Sequence, residues 1–159
     1  MGATVKNFPA LKELPITPIK GQMLELGWPE EIPPLAFSLI SEKYIVMTRE
    51  RKSCLVGATF ERDFSSAEAD LERAKREILP KILSYFPVLK EAPLLSCRAA
   101  FRAYAPNRLP LVGKISDKLY YFTGLGSKGL LYHAWIAKMV ARAMLTKDPS
   151  HLPNELYHH

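Results

Sequence analysis

Apolar positions in this chain fall into short β-like blocks as far as residue 60, recur at helical spacing, return to β-like blocks, and close in one long amphipathic run. Residues 16–26 predict a strand, and Pro18 confines its start to an edge or opening position because proline cannot donate to a ladder. Residues 27–34 are a proline-rich connection, and residues 35–39 and 44–48 predict two short strands. After a charged tip at residues 49–53, residues 54–60 predict another strand. Short connections in meander order imply antiparallel pairing.

A helix follows, with Leu71, Ala74, Ile78 and Ile82 at helical spacing. Ser65, Ser66, Ala67 and Glu68 fit a capping box with Ser65 as N-cap and Glu68 reaching back to it. Glu72 is spaced to pair with Arg76, and Pro80 predicts a kink or split near residues 77–79. Residues 94–104 and 119–123 predict strands, and residues 128–145 the last helix. The fold class is α+β: an antiparallel sheet with a crossing helix, then a C-terminal strand, glycine loop and helix. Residues 1–15 and 147–159 read as irregular termini.

The stretch Tyr121-Phe122-Thr123-Gly124-Leu125-Gly126-Ser127-Lys128-Gly129-Leu130 carries the main chemical signal. A strand that enters a glycine loop opening into a helix presents free backbone N–H groups and a helix-dipole end to an anion or electron-rich ring. Plain connections share the pattern, so the loop alone leaves both readings open. A dinucleotide-binding GxGxxG is absent, because the glycines of residues 124–129 miss that spacing by one residue.

Composition narrows the field. With 159 residues the chain is one domain or one large fragment, and 48% hydrophobic with 24% charged residues is ordinary for a globular protein. No stretch approaches the ~20 apolar residues of a membrane span, and the N-terminus lacks a signal-peptide profile, so the cytoplasm is expected. Cys54 and Cys97 sit among apolar residues and read as free thiols rather than a disulfide. His133, His151, His158 and His159 have no metal-ligand spacing, and the last two are either native or the stub of a tag. A net charge of +6 permits RNA without demanding it, because the cations are spread apart from clusters at residues 49–52 and 73–76.

Four blocks together resemble the C-terminal portion of FAD-dependent oxidoreductases of the D-amino-acid oxidase superfamily. They are Pro18-Ile19-Lys20-Gly21-Gln22-Met23-Leu24; Tyr44-Ile45-Val46 with Leu55-Val56-Gly57-Ala58-Thr59-Phe60-Glu61; the run from Arg102 through Pro106, Asn107 and Pro110 to Gly113; and Gly124 to Leu130. The loop form is similar to glycine-oxidase-like members and to the flavin oxidase module of the enzyme that matures methylaminomethyl-thiouridine in tRNA. Asn107 departs from the family's aspartate, and Met47-Thr48 from its proline-arginine pair. The Rossmann half with GxGxxG is missing, as from a family member that starts after its FAD-binding half. A split gene, a cleaved protein, a fragment and a decaying gene all fit that start.

The resemblance implies oxidation of a carbon–nitrogen bond in an amino acid or secondary amine by hydride transfer to flavin. No protein nucleophile or metal is required. Arg102 would clamp the substrate carboxylate, the alternative being an arginine on a strand's solvent face. Tyr44 would lend its hydroxyl, or be a half-buried strand tyrosine; Phe60 would shape the side-chain pocket, or be an ordinary core phenylalanine. Gly124, Leu125, Gly126, Ser127, Lys128, Gly129 and Leu130 would cradle the flavin, with Pro110 and Gly113 shaping a neighbouring turn. His133 reads as a packed or surface histidine. A substrate-type domain is expected over residues 16–112 and a flavin-contacting segment over 113–146, completing a Rossmann-like FAD domain. FAD binding by this chain alone is expected to be weak or absent. The expected partners are a small amine or amino acid, a separate FAD-binding chain or a second copy, and, more remotely, tRNA; a binding domain without FAD is the rival reading.

Overall fold

The computed structural model describes residues 2–156, so His158 and His159 lie outside the described residues. In chain order the elements are β1 (Thr17–Gly27), β2 (Leu39–Ile40), β3 (Tyr44–Met47), β4 (Ser53–Gly57), α1 (Leu71–Tyr85), β5 (Leu94–Tyr104), β6 (Leu111–Ser116), β7 (Leu119–Thr123) and α2 (Gly129–Thr146). The chain forms two compact units, Lys20–Ala100, and Met1–Ile19 with Phe101–His159. Residues 101–112 lie in the unit that also holds the C-terminal segment and the N-terminal residues. Those N-terminal residues are not irregular throughout: Gly2–Asn7 and Pro9–Leu11 form 3-10 helices, which bury Val5 and Leu11.

In the unit Lys20–Ala100 the strands lie in the order β2-β3-β4-β1-β5. Leu24 pairs with Val56 and Val56 with Ile45 in antiparallel register. Alternation along each strand gives one face Leu24, Leu26, Ile45, Cys54 and Val56, and Ala74, Ile78 and Ile82 of α1 complete the core. Residues 35–38 do not join the sheet as expected. The carbonyls of Pro34 and Leu35 accept from Arg51 Nη2 at 3.2 and 3.0 Å, and Phe37 is left exposed.

A buried polar knot ties β1 to the segment after β4 and to the start of α1. The Glu61 carboxylate accepts from Gln22 Nε2 at 2.8 Å and from Thr59 Oγ1, and faces Arg73 Nη1 at 3.1 Å. Gln22 Oε1 in turn accepts the backbone N–H of Asp70 at 2.6 Å. Lys20 and Glu61 exchange backbone hydrogen bonds, and Lys20 Nζ donates to the Ser66 carbonyl at 3.0 Å. Burying a carboxylate is costly unless it is compensated, and here Oε1 accepts both hydrogen bonds while Oε2 is paired with the Arg73 guanidinium.

The knot also corrects the expected helix start. Ser65 is not the N-cap: Ser66 Oγ accepts from Glu68 N in a local turn, and Asp70 caps α1 by accepting from Arg73 N at 3.0 Å. Because Lys20 and Gln22 hold Ser66 and Asp70, the backbone between them is committed before the helix opens. Glu72 pairs with Lys75 rather than Arg76. α1 runs unbroken through Pro80, which lies on the exposed side of the helix, where a carbonyl that loses its partner can be hydrated.

Both cysteines are free thiols, and burial pushes Cys54 up to about 11 and raises Cys97. On β1, Glu25 accepts from Ser53 Oγ at 2.9 Å, Ser96 Oγ at 3.0 Å and Arg98 Nη2 at 3.0 Å. These partners, Ser53 foremost, hold its carboxyl below the ordinary 4.5. A carboxyl whose pKa is lowered by folding stabilises the fold above its unfolded pKa, and that stability is lost as pH falls through the folded value. Glu25→Gln should therefore lower the urea midpoint at neutral pH, and its gap to the parent should close below about pH 4. A gap that persists undiminished in acid would contradict the assignment.

Candidate functional site

β6 and β7 form an antiparallel hairpin in which Val112 faces Phe122 and Gly113 faces Tyr121. Gly113 was expected in a turn but lies within β6. The Tyr121 ring lies across it, and a Cβ there would come within 2.5 Å of the ring. Val112, Ile136, Val140, Ala143, Leu152 and Leu156 form one core, while Val5, Leu11, Ile16, Ala103, Ala105, Leu111 and Tyr121 form another. The loop between β7 and α2 is anchored to these cores.

Gly124 has φ +72° and Gly126 φ +55°, a region that side chains occupy at a cost. At Gly124 a Cβ would also meet Ala105 Cβ and Ile16 Cδ1, both at 3.1 Å. Residues 126–128 make a 3-10 turn, with Lys128 N donating to the Leu125 carbonyl at 3.0 Å. α2 then begins at Gly129 with no side-chain cap and no acidic residue in its first turn. Its leading N–H groups and positive dipole end therefore meet no anion from the helix itself.

Gly129 differs from the other two loop glycines. Its φ is an ordinary helical −54°, and a Cβ would meet nothing nearer than Leu125 Cβ at 3.9 Å. Local packing does not call for glycine there, although glycine weakens a helix relative to alanine. What Gly129 does is leave bare the wall of a cavity of about 550 Å³, which Arg102, Thr123, Gly124, Leu125 and Gly126 also line. That size suits a small organic ligand. Thr123 Oγ1, in the same lining, is buried without a hydrogen-bond partner. A cradle kept free of Cβ atoms, an orphaned hydroxyl and an uncapped helix start fit a flat, polar-edged ring such as a flavin.

The remaining expected residues fall as follows. Ser127 and Lys128 are exposed in the 3-10 turn, with Lys128 Nζ 5.9 Å from the Tyr132 ring centre. Leu130 is 94% exposed, and Pro110 is buried just before β6. Asn107 Oδ1 accepts from Leu109 N at 3.0 Å, a turn-forming bond that aspartate makes equally well, so this departure from the family pattern costs the loop nothing. His133 is exposed and bonds through Nδ1 to the carbonyls of Gly129 and Leu130, as a surface histidine does.

In the other unit, Tyr44 on β3 is half-buried, and Gly57 makes room for it: a Cβ there would lie 3.1 Å from the Tyr44 hydroxyl. Phe60 is no core phenylalanine. It is 50% exposed beneath the Arg62 guanidinium, because Thr59 and Glu61 turn inward and the side chain between them points the opposite way. Thr123 was not singled out from the sequence; its alternation with the inward Tyr121 in a short apolar strand was the available signal.

A family model described as FAD dependent oxidoreductase (DAO) matches residues 1–143. The chain is 35% identical over 153 residues to the tRNA 5-methylaminomethyl-2-thiouridine biosynthesis bifunctional protein of Caulobacter vibrioides, covering 93% of this chain and 24% of that protein. It is 31% identical over 134 residues to the bifunctional protein ThiO/ThiG of Nostoc sp., covering 82% of this chain and 20% of the relative. Among solved structures, glycine oxidase from Geobacillus kaustophilus aligns with TM-score 0.75 at 20% identity, over 91% of this chain and 40% of that one. Iminodiacetate oxidase from Chelativorans sp. BNC1 aligns with TM-score 0.74 at 23% identity, over 98% and 44%. The chain thus spans about a quarter or less of these two relatives and about two fifths of these solved structures. Among the described residues no helix is long and apolar enough to cross a membrane.

The glycines make opposed predictions. Gly124→Ala should destabilise the chain by about 1–3 kcal/mol, through strain and contact. Gly129→Ala should stabilise it by up to about 1 kcal/mol, since the helix gains and nothing is displaced. Urea denaturation checks both, and a destabilising Gly129→Ala would mean that packing rather than the cavity demands that glycine.

Proposed function

This chain belongs to the DAO family of FAD-dependent oxidoreductases, and from that premise we propose that it is the substrate-side and ring-side portion of an enzyme oxidising the carbon–nitrogen bond of an amino acid or secondary amine. The observation that carries the reading is that Arg102, a carboxylate-matching guanidinium, lines the same cavity as the glycine loop and the start of α2. FAD, when bound, would supply the acceptor for the hydride that leaves the substrate α-carbon.

The chain's own residues then have distinct tasks. Arg102 holds the substrate carboxylate through a charged hydrogen bond, contributing roughly 1.5–3 kcal/mol. The N–H groups at the start of α2 favour negative charge in the cavity, by about 0.3–2 kcal/mol. Gly124, Gly126 and Gly129 let the main chain approach the ring, with Leu125 beside them. Ser127, Lys128 and Leu130 flank that contact, and Pro110 and Gly113 support the hairpin beneath it.

α2 favours an assembled form of this protein. Leu130, Leu131, Trp135 and Leu145 are exposed at 94, 70, 50 and 86%. A helix apolar on most sides is ordinarily covered. A separate FAD-binding polypeptide is the occupant that suits the proposed chemistry, with a second copy of the chain as the alternative.

The chain alone should bind FAD only weakly, with a dissociation constant well above the micromolar range. In the enzyme completed by an FAD-binding half, Arg102→Ala should raise KM for a carboxylate substrate roughly 10- to 100-fold. FAD titration and steady-state kinetics read the two effects. Tight, stoichiometric FAD uptake by the chain alone, or an unchanged KM, would contradict the reading.

A further inference from the structure

Two buried side-chain oxygens among the described residues lack a hydrogen-bond partner, Glu61 Oε2 and Thr123 Oγ1. Glu61 Oε2 has the Arg73 guanidinium at 3.1 Å. Thr123 Oγ1 has no such neighbour to compensate it, and its residue is only 5% exposed. A hydroxyl cut off from water without a partner loses stability that a valine of the same shape would keep. Such an atom calls for a specific reason.

Its position supplies one. Thr123 is the last residue of β7, held by its pairing with Leu111, and the next residue is Gly124, where the chain turns left-handed. The hydroxyl therefore sits on a rigid strand end rather than on the loop, and Thr123 lines the cavity with Arg102 and Gly129. We propose that Thr123 is a binding residue for the polar edge of a flavin ring in this cavity, an inference that rests on the flavin reading above. That edge carries carbonyl acceptors and an N–H donor, and a hydroxyl can serve either. The oxygen is closed to solvent in the free chain. A staggered step about χ1, which carries the hydroxyl into another of the three positions around Cβ, is one movement that would present it to a guest.

The inference predicts opposite effects on stability and on binding. Thr123→Val keeps the shape and removes the hydroxyl, whereas Thr123→Ser keeps the hydroxyl. In the full chain without flavin, Thr123→Val should raise the melting temperature by about 2–4 °C. With FAD titrated to about 1 mM and followed by flavin fluorescence, the same variant should bind about three- to tenfold more weakly than the parent. Thr123→Ser should keep the parent's affinity. A Thr123→Val variant that melts lower means the hydroxyl already has a partner, which overturns the proposal. One that melts higher but binds FAD as well as the parent also overturns it, and leaves the flavin reading standing. A parent chain that takes up no FAD across the titration overturns this proposal for the chain by itself, and leaves the flavin reading to be decided by the kinetics of the completed enzyme.

Discussion

The left-handed turn at Gly124 is the constraint on which the site depends. At φ +72°, and with Ala105 Cβ and Ile16 Cδ1 each 3.1 Å from where a Cβ would lie, the backbone passes through a gap in which any side chain is strained and must push its neighbours aside. That passage ends β7, and within two residues the chain repeats the left-handed conformation at Gly126. The 3-10 turn follows, and α2 then starts with its N–H groups uncapped. The packing that holds the turn joins the N-terminal residues, the end of β5 and the hairpin into one core. Stability and the shape of the cavity wall are therefore set by the same contacts.

The other unit is organised around the Glu61 carboxylate. Two of the sequence blocks that carried the family likeness, Lys20-Gly21-Gln22 and Thr59-Phe60-Glu61, turn out to be halves of one hydrogen-bonded knot. Their physical role is to fasten the segment leaving β4 across β1 and to place the first turn of α1. That role also throws Phe60 outward, since both of its neighbours are drawn in.

The parts of the fold that were legible in the sequence are those where periodicity alone decides. β5 and β7 have their expected bounds, and α2 differs by one residue at each end, because long apolar runs leave little choice. β6 escaped notice: Pro110, Gly113 and Lys114 break its β character, and only the hairpin contact with Tyr121 turns the segment into a strand. The start of α1 was misread because Ser65 to Glu68 satisfy a local rule that a distant bond from Gln22 overrides. At the site, glycine spacing pointed to the loop. Which glycine is structural and which leaves space could be told only from φ and from the atoms that a Cβ would meet.

The central claim is that the loop after β7 and the start of α2 hold a flavin ring in the cavity that Arg102 also lines. Backbone chemical-shift mapping of the isotopically labelled chain during an FAD titration tests it most directly. The largest shifts should fall on residues 123–129 and on Arg102. Shifts confined to the basic cluster at residues 49–52, or none at all, would contradict the account.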